Sequence, residues 1–367
     1  MKATLFRGEL HYEGVTLHTA ASGAIGALDT LWLRLDDGDC QGTGEVRLNI
    51  HYLHGYSAEQ VLRNVTQALA HRDWTLSPQA MLTAIQAPDA TLLAPTRMLI
   101  DMALHDLLAR RAGLSLPQWL GAGATAPGYH TNQTLFWASE QQMLAQAKRY
   151  VARGFTRLKL RTGVADIATD LSRLRKLRDT FGADISLAID VNGQWSLQQA
   201  HAVFPALRQL DLSYVEQPLA AKDDRLLPQL SEFGVPIMLD ESLNSPAAID
   251  RLIDANGALW GHLKLVKLGG VAPTLAAARR LRAANIPFMI GQMNEGHAAT
   301  AAALQLCRVV QPQFAELYGA DGLIDDPVTG LTYADGEIRV ADSYGLGVHF
   351  DAARATFLQE FSYATAQ

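Results

Sequence analysis

Four charged residues close successive apolar runs at nearly constant spacing, and this spacing constrains the fold more than any other feature of the chain. Asp190 ends SLAID, Glu216 ends LSYVE, Asp240 ends PIMLD and Lys264 follows in HLKLVKLGG. The steps are 26, 24 and 24 residues (190 to 216, 216 to 240, 240 to 264), about one strand–helix unit of a (β/α) barrel. Each residue then projects from the C-terminal end of a successive strand, the face on which such barrels carry their active sites. A lone Asp at a strand end is a common turn-former or helix N-cap, but capping does not explain four charges in register on four consecutive strands. Three converging carboxylates repel one another unless a hard divalent cation neutralises them, and an all-oxygen set suits Mg²⁺ or Mn²⁺. Lys264 shares a strand face with His262 and Val266, and an ammonium buried there must be paired or put to use. A lysine beside the cation is a natural proton-abstracting base, so the chain reads as a metal-dependent enzyme.

At 367 residues the chain has room for a barrel of about 250 residues and a further domain. The residues between positions 1 and 125 have a different grammar from the rest. TLWLRLDD and the segment around GTGEVRLN read as strands, whereas residues 57–72 and 95–121 read as helices. Strands followed by helices indicate an α+β domain, with GAGATAPG as the linker. From residue 126 to about 340 strands alternate regularly with amphipathic stretches. The strand candidates are 130–136, 156–161, 185–190, 212–216, 236–240, 260–264, 287–291 and 312–316. Beyond the last of these the chain is turn-rich and strand-like, and the segment 341–367 is expected to pack back on the N-terminal domain.

Composition excludes several classes of function. Hydrophobic residues make up 49% and charged residues 19%, a soluble globular balance. The net charge is −6 and no Lys/Arg run is present, which argues against a nucleic-acid partner. The two cysteines, Cys40 and Cys307, imply no disulfide framework. The opening MKATLFRGEL lacks a signal-peptide apolar core, and no run approaches the ~18 apolar residues of a membrane span. The expectation is a cytoplasmic homo-oligomer acting on a small-molecule carboxylate.

With these residues in place, the chain resembles the enolase superfamily, and within it the muconate-lactonizing-enzyme subgroup. The resemblance spans nearly the whole chain, through IDMALHDLLARRAGLSLPQWLG, LKLRTG, DVNGQW, VEQP, LDES, KLVKLGG, GQMNEGH and GLGV. It implies an α/β fold, a modified TIM barrel (β/α)₇β with an N-terminal α+β capping domain. It also implies Mg²⁺ on Asp190, Glu216 and Asp240, and proton abstraction next to a carboxylate through a stabilised enolate. Lys264, desolvated beside the cation, is expected to have a lowered pKa. Lys159 and Arg161 complete the catalytic set, and Asn192, Glu295 and Glu316 are the candidate substrate-binding residues. Asn192 reads equally well as a turn residue, and His297 as the start of a helix.

Two departures from the subgroup bear on the reaction. Strand two usually carries Lys-x-Lys, and here reads Lys159-Leu160-Arg161. Arginine holds a carboxylate far better than it exchanges a proton, which favours one-base chemistry of the cycloisomerase or dehydratase type over two-base racemisation. A salt bridge from Arg161 to Asp190 is the structural alternative. On strand eight the Asp-x-Asp of dipeptide epimerases is replaced by Glu316-Leu317-Tyr318, so an α-amino dipeptide is a less secure substrate. Racemisation or epimerisation of an amino-acid derivative, and a catalytically silent relative, are the competing readings. The cap loops near residues 15–30 and 48–56 are expected to close over the barrel mouth.

Overall fold

The computed structural model describes residues 1–87, 91–341 and 343–362. The cap is built on a four-stranded antiparallel sheet in the order Thr356–Ser362, Lys2–Leu10, Leu28–Asp36, Gln41–Arg47. The helix Ala94–Arg111 lies across this sheet. Glycine permits the close approach: a Cβ at Gly42 or Gly44 would run into the backbone carbonyl of Ala103 or Leu99. The 95–121 stretch is not one helix. It stops at Arg111, Gly113 takes φ +64°, and Ser115 caps a single turn, Leu116–Trp119. A left-handed glycine is a helix terminator, and its position in RRAGLS marks the break. A second cap helix, Ala58–Ala70, begins at a capping box formed by Ser57 and Gln60, and Pro78–Gln86 is a third.

Eight parallel strands form the barrel: Gln133–Leu135, Arg157–Arg161, Ser186–Asp190, Leu212–Glu216, Ile237–Leu239, Trp260–Lys264, Phe288–Gly291 and Phe314–Glu316. They are numbered one to eight below. Between strands eight and one the backbone is stitched by the Asn132 N–H to Ala315 O (3.1 Å) and the Leu317 N–H to Thr131 Oγ1 (2.8 Å). Helices join the strands except between four and five, where Ala221–Phe233 forms 3₁₀ turns around Pro228; proline removes the N–H that a regular helix would need there. Strand eight is followed by one turn, Tyr318–Ala320, and no helix, so the architecture is (β/α)₇β. Beyond it, the hairpin Leu331–Ala334/Glu337–Val340 pairs with Gly128–His130, and Thr356–Ser362 enters the cap sheet. Residues 342 and 363–367 of the C-terminal segment lie outside the described residues. Among the described residues no helix is long and apolar enough to cross a membrane.

Candidate active site

Along each strand alternate side chains face the barrel axis, and barrel interiors are filled in layers drawn from alternate strands. Towards the N-terminal ends, Ala188, Tyr214, Met238 and Met289 form an apolar cluster, backed by Trp260 and Phe314. The next layer is entirely polar: Lys159, Glu216, His262 and Glu316, from strands two, four, six and eight, all buried. Lys159 Nζ lies 2.9 Å from Glu216 Oε2 and also pairs with Glu316. His262 Nδ1 lies 3.0 Å from Glu216 Oε1. Its Nε2 faces Gly291, where a Cβ would collide with the ring, so glycine makes room for the imidazole.

Above this layer stand Asp190 at the end of strand three and Asp240 one residue beyond strand five. Arg161 pairs with Asp190, so the alternative of a structural salt bridge is the geometry found. Lys264 Nζ lies 2.6 Å from Asp240 Oδ2 and 3.6 Å from Met293 Sδ. A second lysine, Lys267, reaches the same carboxylate from the one-turn helix Leu265–Leu268. Its Nζ donates to Asp240 O (2.5 Å), Asp240 Oδ1 (2.6 Å) and His262 O (2.9 Å). An ammonium has three hydrogens, so Lys267 is saturated by the protein, whereas Lys264 meets one carboxylate oxygen and the Met293 sulfur and keeps one hydrogen free of them.

Burial and ion pairing among the protein's own side chains together set the electrostatics of the site. Burial pulls Lys264 down as anticipated and is the largest influence, but the carboxylates of Asp240, Glu316 and Glu216 outweigh it, and its pKa is raised. Lys267 is lowered, because burial dominates there. Burial pushes Glu216 and Asp240 up, but neighbouring cations, led by Lys159 for Glu216 and Lys264 for Asp240, overcome it and hold both below the usual carboxylate range. Burial raises Glu241, and Asp240 adds to the effect.

Oxygen acceptors collect at the C-terminal ends of strands three to five. Asp190 and Glu216 are paired in the strand ladder, and Asp240 lies one residue beyond the end of strand five, two past Met238, the ladder partner of Glu216. Buried Asn192 Oδ1 and Glu241 Oε2 have no hydrogen-bond partner within the protein. This surplus of hard oxygen acceptors fits a divalent cation of the Mg²⁺ type. Glu216, His262 and Glu316 also bring ligand atoms within 4.8 Å of one another, so Glu216, on which the Lys159 ammonium is seated, belongs to both donor sets.

The structure thus brings Lys159, Arg161, Asp190, Glu216, Asp240, Lys264 and Glu316 together, with Lys159 and Glu316 in the sealed layer rather than at the mouth. Asn192 is off the strand face: its φ is +49°, it donates through Nδ2 to Glu241 Oε1 (3.0 Å), and its N–H bonds Asp190 Oδ1 (2.9 Å). Glu295 is buried in the loop after strand seven, accepting the Met293 N–H at 3.1 Å, and burial lifts its pKa to about 7. His297 begins the helix His297–Val310. Lys267, His262 and Glu241 are site residues that the spacing argument passed over. The second lysine of KLVKLGG and the acid of LDES were the available signals. In the cap, the hairpin Leu17–Thr19/Gly23–Ile25 touches the barrel where the Trp137 N–H bonds His18 O (3.2 Å).

Comparison with known proteins places this geometry. A family model described as Enolase C-terminal domain-like matches residues 142–354. The chain is 35% identical over 257 residues to chloromuconate cycloisomerase of Pseudomonas putida, covering 69% of each. It is 29% identical over 258 residues to L-Ala-D/L-Glu epimerase of Bacillus subtilis, covering 68% of this chain and 69% of that one. Its fold overlays the dipeptide epimerase of Methylococcus capsulatus, solved with Mg and the dipeptide L-Arg-D-Lys, with a TM-score of 0.85 at 26% identity over 95% of this chain and 99% of that one. The chain therefore belongs to the enolase superfamily, in the muconate-lactonizing-enzyme subgroup, and is an enzyme of that family.

Proposed function

We propose that the chain removes the α-proton of a small carboxylate through Lys264 and carries the resulting enolate on to loss of a β-leaving group, as in cycloisomerisation or dehydration. The observation that carries this reading is the contrast at Asp240: Lys267 is saturated by the protein, while Lys264 has a hydrogen left for a substrate. Asp190, Glu216 and Asp240 would hold Mg²⁺, or the similarly hard Mn²⁺, whose charge supplies Lewis-acid stabilisation to a carboxylate. Lys264 must shed a proton to accept one at Nζ; its burial works in that direction and the carboxylates of Asp240, Glu316 and Glu216 work against it, so a divalent cation on those carboxylates would ease the loss. Arg161 and Lys159 stay protonated and balance negative charge as it develops. Glu295, which accepts the Met293 N–H beside Lys264, and Asn192, which bonds Asp190 and Glu241, would orient the acid.

The likeness to dipeptide epimerases favours a second reading, in which a proton is returned to the opposite face. Incubating the wild-type protein in D₂O with Mg²⁺ and either muconolactone or L-Ala-L-Glu separates the two. One-base chemistry places deuterium in muconolactone and yields no inverted dipeptide, whereas an inverted, deuterated dipeptide would overturn it. Lys264→Ala should slow the exchange by about 10³-fold or more while calorimetry shows Mg²⁺ binding retained. Asp240→Asn should instead weaken Mg²⁺ binding itself. An unchanged rate in Lys264→Ala would assign the base elsewhere.

A further inference from the structure

Glu45 lies on the cap strand Gln41–Arg47, yet its buried carboxylate is bonded to the barrel. Oε1 accepts the Gly296 N–H at 2.6 Å, and Oε2 accepts the N–H groups of Ala298 (3.0 Å) and Ala299 (3.4 Å). Gly296 makes this reach available, because a Cβ there would lie 2.8 and 2.9 Å from the two Glu45 oxygens and 2.6 Å from Asp326 Oδ2. Two residues along the same strand, Arg47 Nη1 donates to Asn294 O at 3.2 Å. Asn294 Nδ2 donates to the Tyr12 hydroxyl at 2.9 Å, and that hydroxyl donates to Gly319 O. Three cap side chains therefore grip the loop between strand seven and its helix. Inside the grip sits Met293, whose sulfur lies 3.6 Å from Lys264 Nζ and whose N–H bonds Glu295 Oε2 at 3.1 Å.

We propose that Glu45 is a positioning residue: from the cap, it fixes the loop that sets Met293 against Lys264 and holds Glu295 on the Met293 N–H. Its relevance to catalysis rests on Lys264 being the base; the grip itself does not. Side-chain chemistry explains the choice of residue. Glutamine at this position would set an NH₂ among N–H donors, and aspartate is shorter by one methylene, so both should loosen the loop.

The test uses no substrate. In protein labelled at the methionine methyl groups, with the Met293 signal assigned by its loss in Met293→Leu, wild type is compared with Glu45→Ala, Glu45→Gln and Glu45→Asp. In Glu45→Ala, amide exchange at Gly296, Ala298 and Ala299 should quicken at least tenfold. The Met293 methyl signal should shift or broaden while those of Met238 and Met289 hold, and Glu45→Asp should fall between Glu45→Ala and wild type. If Glu45→Ala does not fold, Glu45→Gln, which preserves the side-chain size, carries the same comparison. Faster exchange with an unmoved Met293 signal would reduce Glu45 to a structural cap and overturn the proposal, as would exchange at the wild-type rate. Full activity in Lys264→Ala, by contrast, would sink the assignment of the base and leave these signals as predicted.

Discussion

Two residues further along the same strands, the barrel interior changes character: Ala188 gives way to Asp190, Tyr214 to Glu216, Met238 to Asp240, and Trp260 to His262. The lower set removes apolar surface from water, a gain of about 25 cal/mol per Å². The upper set is equally buried but gains nothing of that kind. Each ion there carries a desolvation penalty of several kcal/mol, offset only by its partners. The lower half accounts for stability, and the upper half holds charge in reserve for chemistry, as expected where perturbed groups cluster.

This contrast can be broken in order of expected effect. Removing the charge of Lys159 in Lys159→Met leaves Glu216 and Glu316 buried without their common cation, and should destabilise the fold by about 3–5 kcal/mol in chemical unfolding. A loss near zero would mean that solvent reaches this layer. In the apolar half, Met238→Ala opens a cavity and should lower stability by about 2–4 kcal/mol with the Mg²⁺ dissociation constant unchanged. A parallel loss of metal affinity would show that the two halves are not separable. The smallest effect is the pH dependence of Glu295. Its folded pKa of about 7 exceeds the ordinary 4.5, so the folded state binds the proton more tightly than the unfolded chain. Its share of stability is complete below about pH 4.5, falls as pH rises to about 7 and is flat beyond, a total of roughly 1–3 kcal/mol. Glu295→Gln should lack this decline, and parallel pH profiles for variant and wild type would remove Glu295 from the buried charged set.

Much of this was legible in the chain. Short apolar runs ending in Asp190, Glu216 and Asp240 report both strand period and strand end, so the eight strands lie within three residues of their expected limits at either end. The misses have physical causes. Pro228 was visible, yet whether the connector before strand five would be an α-helix or the 3₁₀ turns of Ala221–Phe233 depends on packing. The roles of Lys267 and Glu45 depend on partners far away in sequence, which no local pattern encodes.

The pairing of Thr356–Ser362 with Lys2–Leu10 has a consequence for how the molecule is made. The two strands flank the whole barrel in sequence, so bringing them together closes the longest loop in the chain, and contacts of such separation form slowly. As the chain emerges from the ribosome, every barrel strand is available before the cap sheet can gain its outer strand. The barrel is thus synthesised in full before the cap sheet can gain its edge strand, and the cap is the part of the fold that is completed last.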